Sequence, residues 1–269
     1  MGQPIPDHKS SNGYEIAKIV VVGASGLIGT KVVDKLTAAG HTVVAASRKT
    51  GVDVLTGNGL AQAMSGADAV VDVTDSPSYS PEALRTFFTT STANLTAAEK
   101  TAGVRHHVAL SVVGADRMPD SAYESAKVAQ EHSIARSGVP YTVLRATQFF
   151  EFAKTIADTL TSGDEIRVPA ALIQPIAAED VAAQLAHVAL SAPVNGIVEI
   201  GGPEYLPMTE FIQATLDRQT DRRAIITDPD ARYFGAHLEQ RTLVTENRLD
   251  GATRLDEWLA ASGQATDER

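Results

Sequence analysis

The sequence predicts an α/β protein, a doubly wound parallel sheet with helices on both faces and a small C-terminal cap. Short β-branched runs alternate with helix-periodic segments from Lys18 to Leu144. Strands separated by helices run parallel, in sheets covered on both faces. A glycine-rich turn, Gly23 to Gly29, follows the first run, where a tight strand-to-helix turn needs residues without a Cβ. After about residue 160 the rhythm loosens. The boundaries expected are therefore a loose tail over 1–16, a sheet-bearing region over 17–160, and a cap over 161–269 packed on the same body.

Each element has its own signal. Residues 1–16 are polar, carry Pro4, Pro6 and Gly13, and lack periodicity, which reads as a tail. Lys18-Ile19-Val20-Val21-Val22 is a buried strand ending in glycine. Val32, Val33 and Leu36 recur at helical spacing, and Gly40 supplies the stop. A strand over His41–Ala46, a short helix over 57–65 and a strand over Ala67–Val73 follow. Next come a long helix over 81–102, a strand over Val104–Ser111, a helix over 121–137 and a strand over Tyr141–Leu144. The cap region shows two short extended pieces in 165–176, an Ala-rich helix over 178–190, a strand at 197–200, and helices near 208–218 and 253–262.

Composition narrows the class. The 269 residues are 43% hydrophobic and 21% charged, as in soluble globular proteins, and are enough for one large domain or two modest ones. No apolar run approaches the roughly 18–20 residues of a membrane span, and the N-terminus has no apolar signal core. Cysteine is absent, which excludes disulfides, thiol catalysis and thiolate metal sites and predicts a cytoplasmic protein. The net charge of −10 argues against nucleic acid or anionic membrane as partners. A small-molecule substrate is expected; the sequence carries no residue-level sign of an oligomer.

Gly23-Ala24-Ser25-Gly26-Leu27-Ile28-Gly29 is a G-x-x-G-x-x-G pattern between a strand and an amphipathic helix. Glycine there permits a tight turn and close approach of backbone to a pyrophosphate, and the N–H groups at the helix start bind its charge. The second strand ends in Ala46-Ser47-Arg48-Lys49. Dinucleotide sites that take NAD usually place an acid here for the ribose 2′-hydroxyl. With no acid and two adjacent cations, a 2′-phosphate is the better fit, Arg48 as clamp and Ser47 as hydroxyl donor, so NADP(H) is expected over NAD(H).

Ser111 ends the strand that precedes Tyr123-Glu124-Ser125-Ala126-Lys127. Tyr123 and Lys127, four apart on a helix, share one face. A cation near the phenol is expected to lower its pKa from about 10, fitting it to give a proton to a developing alkoxide. Ser111, at the carboxyl edge of the sheet, is placed to hydrogen-bond the same oxygen. The seven histidines are scattered and show no metal-binding spacing, so no metal is expected. Tyr233-Phe234 and the run Phe149-Phe150-x-Phe152 fit a packed core, with Phe149 or Phe150 the candidates for an apolar substrate wall.

Together the glycine loop, Ser111, Tyr123, Lys127 and Gly138-Val139-Pro140-Tyr141-Thr142-Val143-Leu144-Arg145 resemble the atypical short-chain dehydrogenase/reductases, in their NmrA-like NAD(P)-binding branch. The likeness covers about residues 17–200. It implies a Rossmann fold whose NAD(P)-binding region is 17–160, with the active site above the carboxyl ends of the strands. It implies Tyr123 as acid/base, Lys127 as holder of the nicotinamide ribose and Ser111 as the group that orients the substrate carbonyl. By the same resemblance Asp53 approaches the adenine, Val73, Thr74, Asp75 and Ser76 border the cofactor, and Ala146, Thr147, Gln148, Phe149 and Phe150 lie beside nicotinamide and substrate. The function expected is hydride transfer between NADP(H) and a small, fairly hydrophobic carbonyl or quinone-like compound. The alternative is a dinucleotide sensor that turns nothing over.

Overall fold

The computed structural model describes residues 16–218, 221–246 and 249–267; the tail expected over 1–16 lies, apart from Ile16, outside the described residues. The chain runs β1 (Lys18–Val22), α1 (Leu27–Ala38), β2 (Thr42–Ala46), α2 (Leu60–Met64), β3 (Ala69–Asp72), α3 (Pro81–Ala102), β4 (His106–Val112), α4 (Ala122–Ser137) and β5 (Tyr141–Ala146). It continues through α5 (Ala153–Thr159), β6 (Thr161–Ser162), β7 (Glu165–Val168), β8 (Leu172–Ile173), α6 (Ala178–Ala189) and β9 (Gly196–Ile200). β10 (Leu206–Pro207), α7 (Met208–Leu216), β11 (Ala224–Thr227) and α8 (Leu255–Asp267) close it.

Six strands form one sheet in the order β2-β1-β3-β4-β5-β9, every neighbouring pair parallel. Alternation decides which face each side chain serves. Ile19 and Val21 pack with Val32 and Leu36 of α1 and with Val181 and Leu185 of α6. Val20 and Val22 pack on the other side with Leu60, Met64 and Leu95 of α2 and α3. The expected doubly wound α/β sheet is therefore present. From β1 the chain turns outward to β2, then returns to β3 on the opposite side. That reversal opens a crevice above the carboxyl ends of β1 and β3, where open α/β sheets bind ligands.

The helix ends follow local chemistry. Ser80 accepts from the Ala83 N–H (3.4 Å) and Pro81 stands at the first helical position, so α3 starts where its cap allows. It stops at Gly103, whose φ of +72° suits a residue without a Cβ. α2 is shorter than the 57–65 expected, because Gly57 and Gly59 adopt φ of +78° and +75° and hold the chain out of helix until Leu60.

The range 161–269 divides between two bodies. α6 and β9 complete the main sheet and its helical layer. The rest, with α5, surrounds a separate apolar cluster containing Phe150, Ile156, Ile166, Phe211, Ile212 and Leu255. Its small sheets are β11-β7-β6 and the pair β10-β8.

Candidate active site

A cavity of about 880 Å³ opens over the β1–β3 crevice and runs under the cap. Its wall takes Gly23, Ser25, Gly26, Leu27 and Ile28 from the first turn; Ser47, Arg48 and Asp53 from the segment after β2; and Val73 and Thr74 from the end of β3. Asp75, Ser111, Tyr123, Lys127, Ala146, Thr147, Gln148 and Phe149 complete the expected residues that reach it. Gly29, Lys49, Ser76 and Phe150 do not.

The glycine turn is shaped by close approaches. A Cβ on Gly23, where φ is +88°, would lie 2.7 Å from the Val73 carbonyl oxygen. One on Gly29 would lie 2.2 Å from the Gly23 carbonyl oxygen. Gly29 thus serves the cavity from behind, by letting α1 press against the turn. α1 has no side-chain cap, and the N–H groups of Leu27, Ile28 and Gly29 donate to no acceptor among the described residues. Free donors at a helix start, with the helix dipole behind them, suit a phosphate.

After β2 the chain makes a single tight turn over Arg48–Thr50, tied by the Ser47 N–H donating to Thr50 Oγ1 (2.9 Å). Arg48 forms no ion pair among the described residues. Lys49 is exposed and faces away from the cavity, so of the two expected cations only Arg48 reaches the wall. Asp53 Oδ1 accepts from the N–H groups of Leu55 (2.8 Å) and Thr56 (3.3 Å), which makes it the organiser of its own loop.

On α4 the expected wiring is corrected. Lys127 Nζ donates to the Leu110 carbonyl (2.9 Å) and to Gln130 Oε1 (2.5 Å), and stands 4.5 Å from the centre of the Phe88 ring. Gln130 Nε2 in turn donates to Asp72 Oδ2 (3.1 Å), whose other oxygen holds the Thr74 N–H and hydroxyl. No hydrogen bond joins Lys127 to Tyr123. The phenol is not lowered. Burial pushes it well above its usual value, and the negative charge of Asp75, then Tyr79 and Glu124, adds to the rise. Burial also lowers the Lys127 ammonium, against the opposing pull of Asp72.

Ser111 also has a partner that the sequence reading did not foresee. Its hydroxyl donates to Glu131 Oε1 (2.6 Å), and Glu131 is gripped by Arg145 through Nε (2.9 Å) and Nη2 (2.7 Å). Asp116 lies 2.9 Å from Nη1 of the same guanidinium. The Ser111 hydroxyl thus points to Glu131 while the residue lines the cavity.

The cap closes the far end. Phe149 and Phe152 stack with ring centres 5.4 Å apart, and both line the cavity. Phe150, expected beside the substrate, turns the other way into the cap core against Phe211 and Trp258. Phe149 and Phe152, three residues apart across one tight turn, share a side, so Phe152 takes the place expected of Phe150. Tyr233 and Phe234, expected as packing, line the cavity edge to face at 4.7 Å. The sequence reading also passed over Tyr79 and Glu124. Tyr79 donates to Asp75 Oδ2 (2.9 Å), and its hydroxyl is pushed up to about 12. Glu124 is buried beside Ser121, which donates to it. A carboxylate next to the key tyrosine was the available signal. Thr147 Oγ1 and Gln148 Oε1, on the strand end under the cap, are buried without a partner.

The shape and donors fit a dinucleotide: a turn that only glycine satisfies, an uncapped helix start and a free guanidinium share one cavity. The pattern of the NAD(P)H-binding family matches residues 23–192. The chain is similar to the (4-alkanoyl-5-oxo-2,5-dihydrofuran-3-yl)methyl phosphate reductase of Streptomyces griseus, 31% identical over 211 residues, 71% of this chain and 70% of the relative. Among solved structures it is similar to the UDP-N-acetylglucosamine 4-epimerase of Bacillus cereus (TM-score 0.69, 16% identity, 94% of this chain and 96% of that one). It is also similar to the dTDP-4-dehydrorhamnose reductase of Bacillus anthracis solved with NADP (TM-score 0.67, 13% identity, 96% and 100%). These two share the Rossmann-type fold. By its cavity, its matched pattern and its curated reductase relative, the chain belongs to the NAD(P)H-binding family, as an oxidoreductase of short-chain dehydrogenase/reductase type.

Proposed function

We propose that the protein is an NADP(H)-dependent reductase of a small, fairly hydrophobic carbonyl or quinone-like compound. The observation that carries the reading is Tyr123, a phenol kept protonated in the wall of the cavity that also holds the glycine turn and Arg48. The bound dinucleotide supplies the hydride. The N–H groups of Leu27, Ile28 and Gly29 would hold its pyrophosphate, and Arg48 with Ser47 would hold a 2′-phosphate.

Tyr123 donates a hydrogen bond to the substrate oxygen and passes its proton there as negative charge develops. Lys127, fixed by Leu110 and Gln130, sets a positive charge in the same wall without hydrogen-bonding the phenol. Ser111, its proton held by Glu131, accepts a hydrogen bond from the bound molecules. Phe149, Phe152, Tyr233 and Phe234 exclude water and favour an apolar substrate. The alkanoyl group in the name of the Streptomyces griseus relative agrees with such a wall.

Tyr123→Phe is the direct test. With the best substrate from a panel of ketones, enones and quinones, turnover should fall by ~10²–10⁴-fold while NADPH binding persists. Unchanged turnover would remove Tyr123 from the chemistry.

A further inference from the structure

Asp72, the last residue of β3, is a buried acid, 2% exposed, to which the mechanism above gives no part. A buried acid is costly unless it is paired and hydrogen-bonded. Its partners lead to the cavity wall. Asp72 Oδ1 accepts from the Thr74 N–H (3.0 Å) and from the Thr74 hydroxyl (2.7 Å). Thr74 lines the cavity next to Val73, whose carbonyl oxygen is the one that leaves Gly23 no room for a Cβ. Asp72 Oδ2 accepts from Gln130 Nε2 (3.1 Å), and Gln130 Oε1 accepts from the Lys127 ammonium (2.5 Å). Gln130 and Lys127 are buried as well.

The polarity of this chain is forced. Thr74 and Gln130 need an acceptor on each oxygen of Asp72, which a carboxylate supplies. Lys127 can only donate, so Gln130 must turn its oxygen to Lys127 and its amide NH₂ to Asp72. Burial lowers the ammonium, and of the carboxylates that oppose this Asp72 pulls most, followed by Asp75 and by Glu131 of α4. The Phe88 ring of α3 faces the same nitrogen at 4.5 Å. The charge of Asp72 also reaches His107 of β4, which is itself held by Glu99 of α3 (2.7 Å).

Resting on the reductase reading above, we propose that Asp72 is a positioning residue of this site. Through Gln130 it aims the Lys127 ammonium, and directly it holds Thr74. One carboxylate thereby sets α4 and the end of β3 against each other across the cavity.

Asp72→Asn keeps the shape and reverses the polarity. Thr74 claims the new carbonyl, so the new NH₂ faces Gln130. Gln130 must then turn its own NH₂ toward Lys127, donor against donor. Adding Gln130→Glu restores an acceptor to both neighbours and returns one negative charge to the pair. The first readout is the NMR titration of Lys127 in protein labelled with [¹³Cε]lysine, its signal identified by its loss in Lys127→Arg; no turnover is required. In Asp72→Asn, Lys127 should lose its proton at lower pH than in wild type, because burial is less opposed. In Asp72→Asn/Gln130→Glu the midpoint should move back toward wild type. Turnover with NADPH and the best carbonyl compound should fall about tenfold or more in Asp72→Asn and recover in the double variant. Gln130→Met, which cuts the link but leaves Thr74 its carboxylate, should shift the Lys127 midpoint in the same direction and serves where Asp72→Asn does not fold. An unmoved midpoint in either single variant overturns the proposal, and so does a double variant that recovers neither midpoint nor turnover. If wild type turns over no carbonyl compound, the reductase reading falls, and the Lys127 midpoints alone decide whether Asp72 positions it.

Discussion

Tyr123 keeps its proton because of where it sits. Burial disfavours the tyrosinate, and Asp75 nearby disfavours it further. A phenol raised well above its usual value stays protonated throughout the neutral range, so in the proposed mechanism it serves as a donor and not as a pre-formed base. The pH profile of kcat for substrate reduction should therefore be free of a tyrosine ionisation between about pH 6 and about pH 9. A limb in that window that disappears in Tyr123→Phe would show a lowered phenol instead. The residue types were legible in the sequence. Ser111, Tyr123 and Lys127 do meet at one cavity, because β4 and α4 are consecutive elements of known spacing. Their hydrogen bonds were not legible. Glu131 and Gln130 sit one turn further along α4, and Asp75 comes from a different strand end. Which of these a side chain selects depends on tertiary packing.

At the scale of elements, the β1–α1 turn is tightly constrained. Gly29 has no room for even a methyl group, its virtual Cβ meeting backbone at 2.2 Å. Gly29→Ala should shift α1 away from the turn, cost ~1–3 kcal/mol of stability, and weaken NADPH binding; denaturant unfolding and titration check both. Wild-type stability and affinity in this variant would mean that the turn has slack the structure does not show. This turn could be read directly from glycine spacing, as could α3 from Ser80-Pro81 at its start and Gly103 at its end. β11 could not. Ala224–Thr227 is mostly exposed, so it shows no alternation between buried and open positions, and its partner β7 lies far back in the chain. α5 escaped for a related reason: seven residues starting directly from a tight turn leave little periodicity to detect.

For the whole molecule, the sequence predicted strands in parallel and helices on both faces, but not the order β2-β1-β3-β4-β5-β9. Order is set by which strands meet across the sheet, and β1 meeting β3 leaves no local mark. That junction nonetheless makes the crevice, and residues of the cap help to wall the cavity over it. Within an acidic molecule of net charge −10, the start of α1, Arg48 and Lys127 bring positive charge to the cavity wall. No helix among the described residues is long and apolar enough to cross a membrane.

The central claim is that this positive end holds NADPH in preference to NADH. Calorimetric titration of the wild-type protein and of Arg48→Glu with each dinucleotide tests it most directly. The account predicts that wild type binds NADPH about tenfold or more tighter than NADH, and that Arg48→Glu loses most of that difference by weakening NADPH alone. Equal affinity for the two in wild type, or equal losses in the variant, would contradict the assignment of Arg48 as the 2′-phosphate clamp.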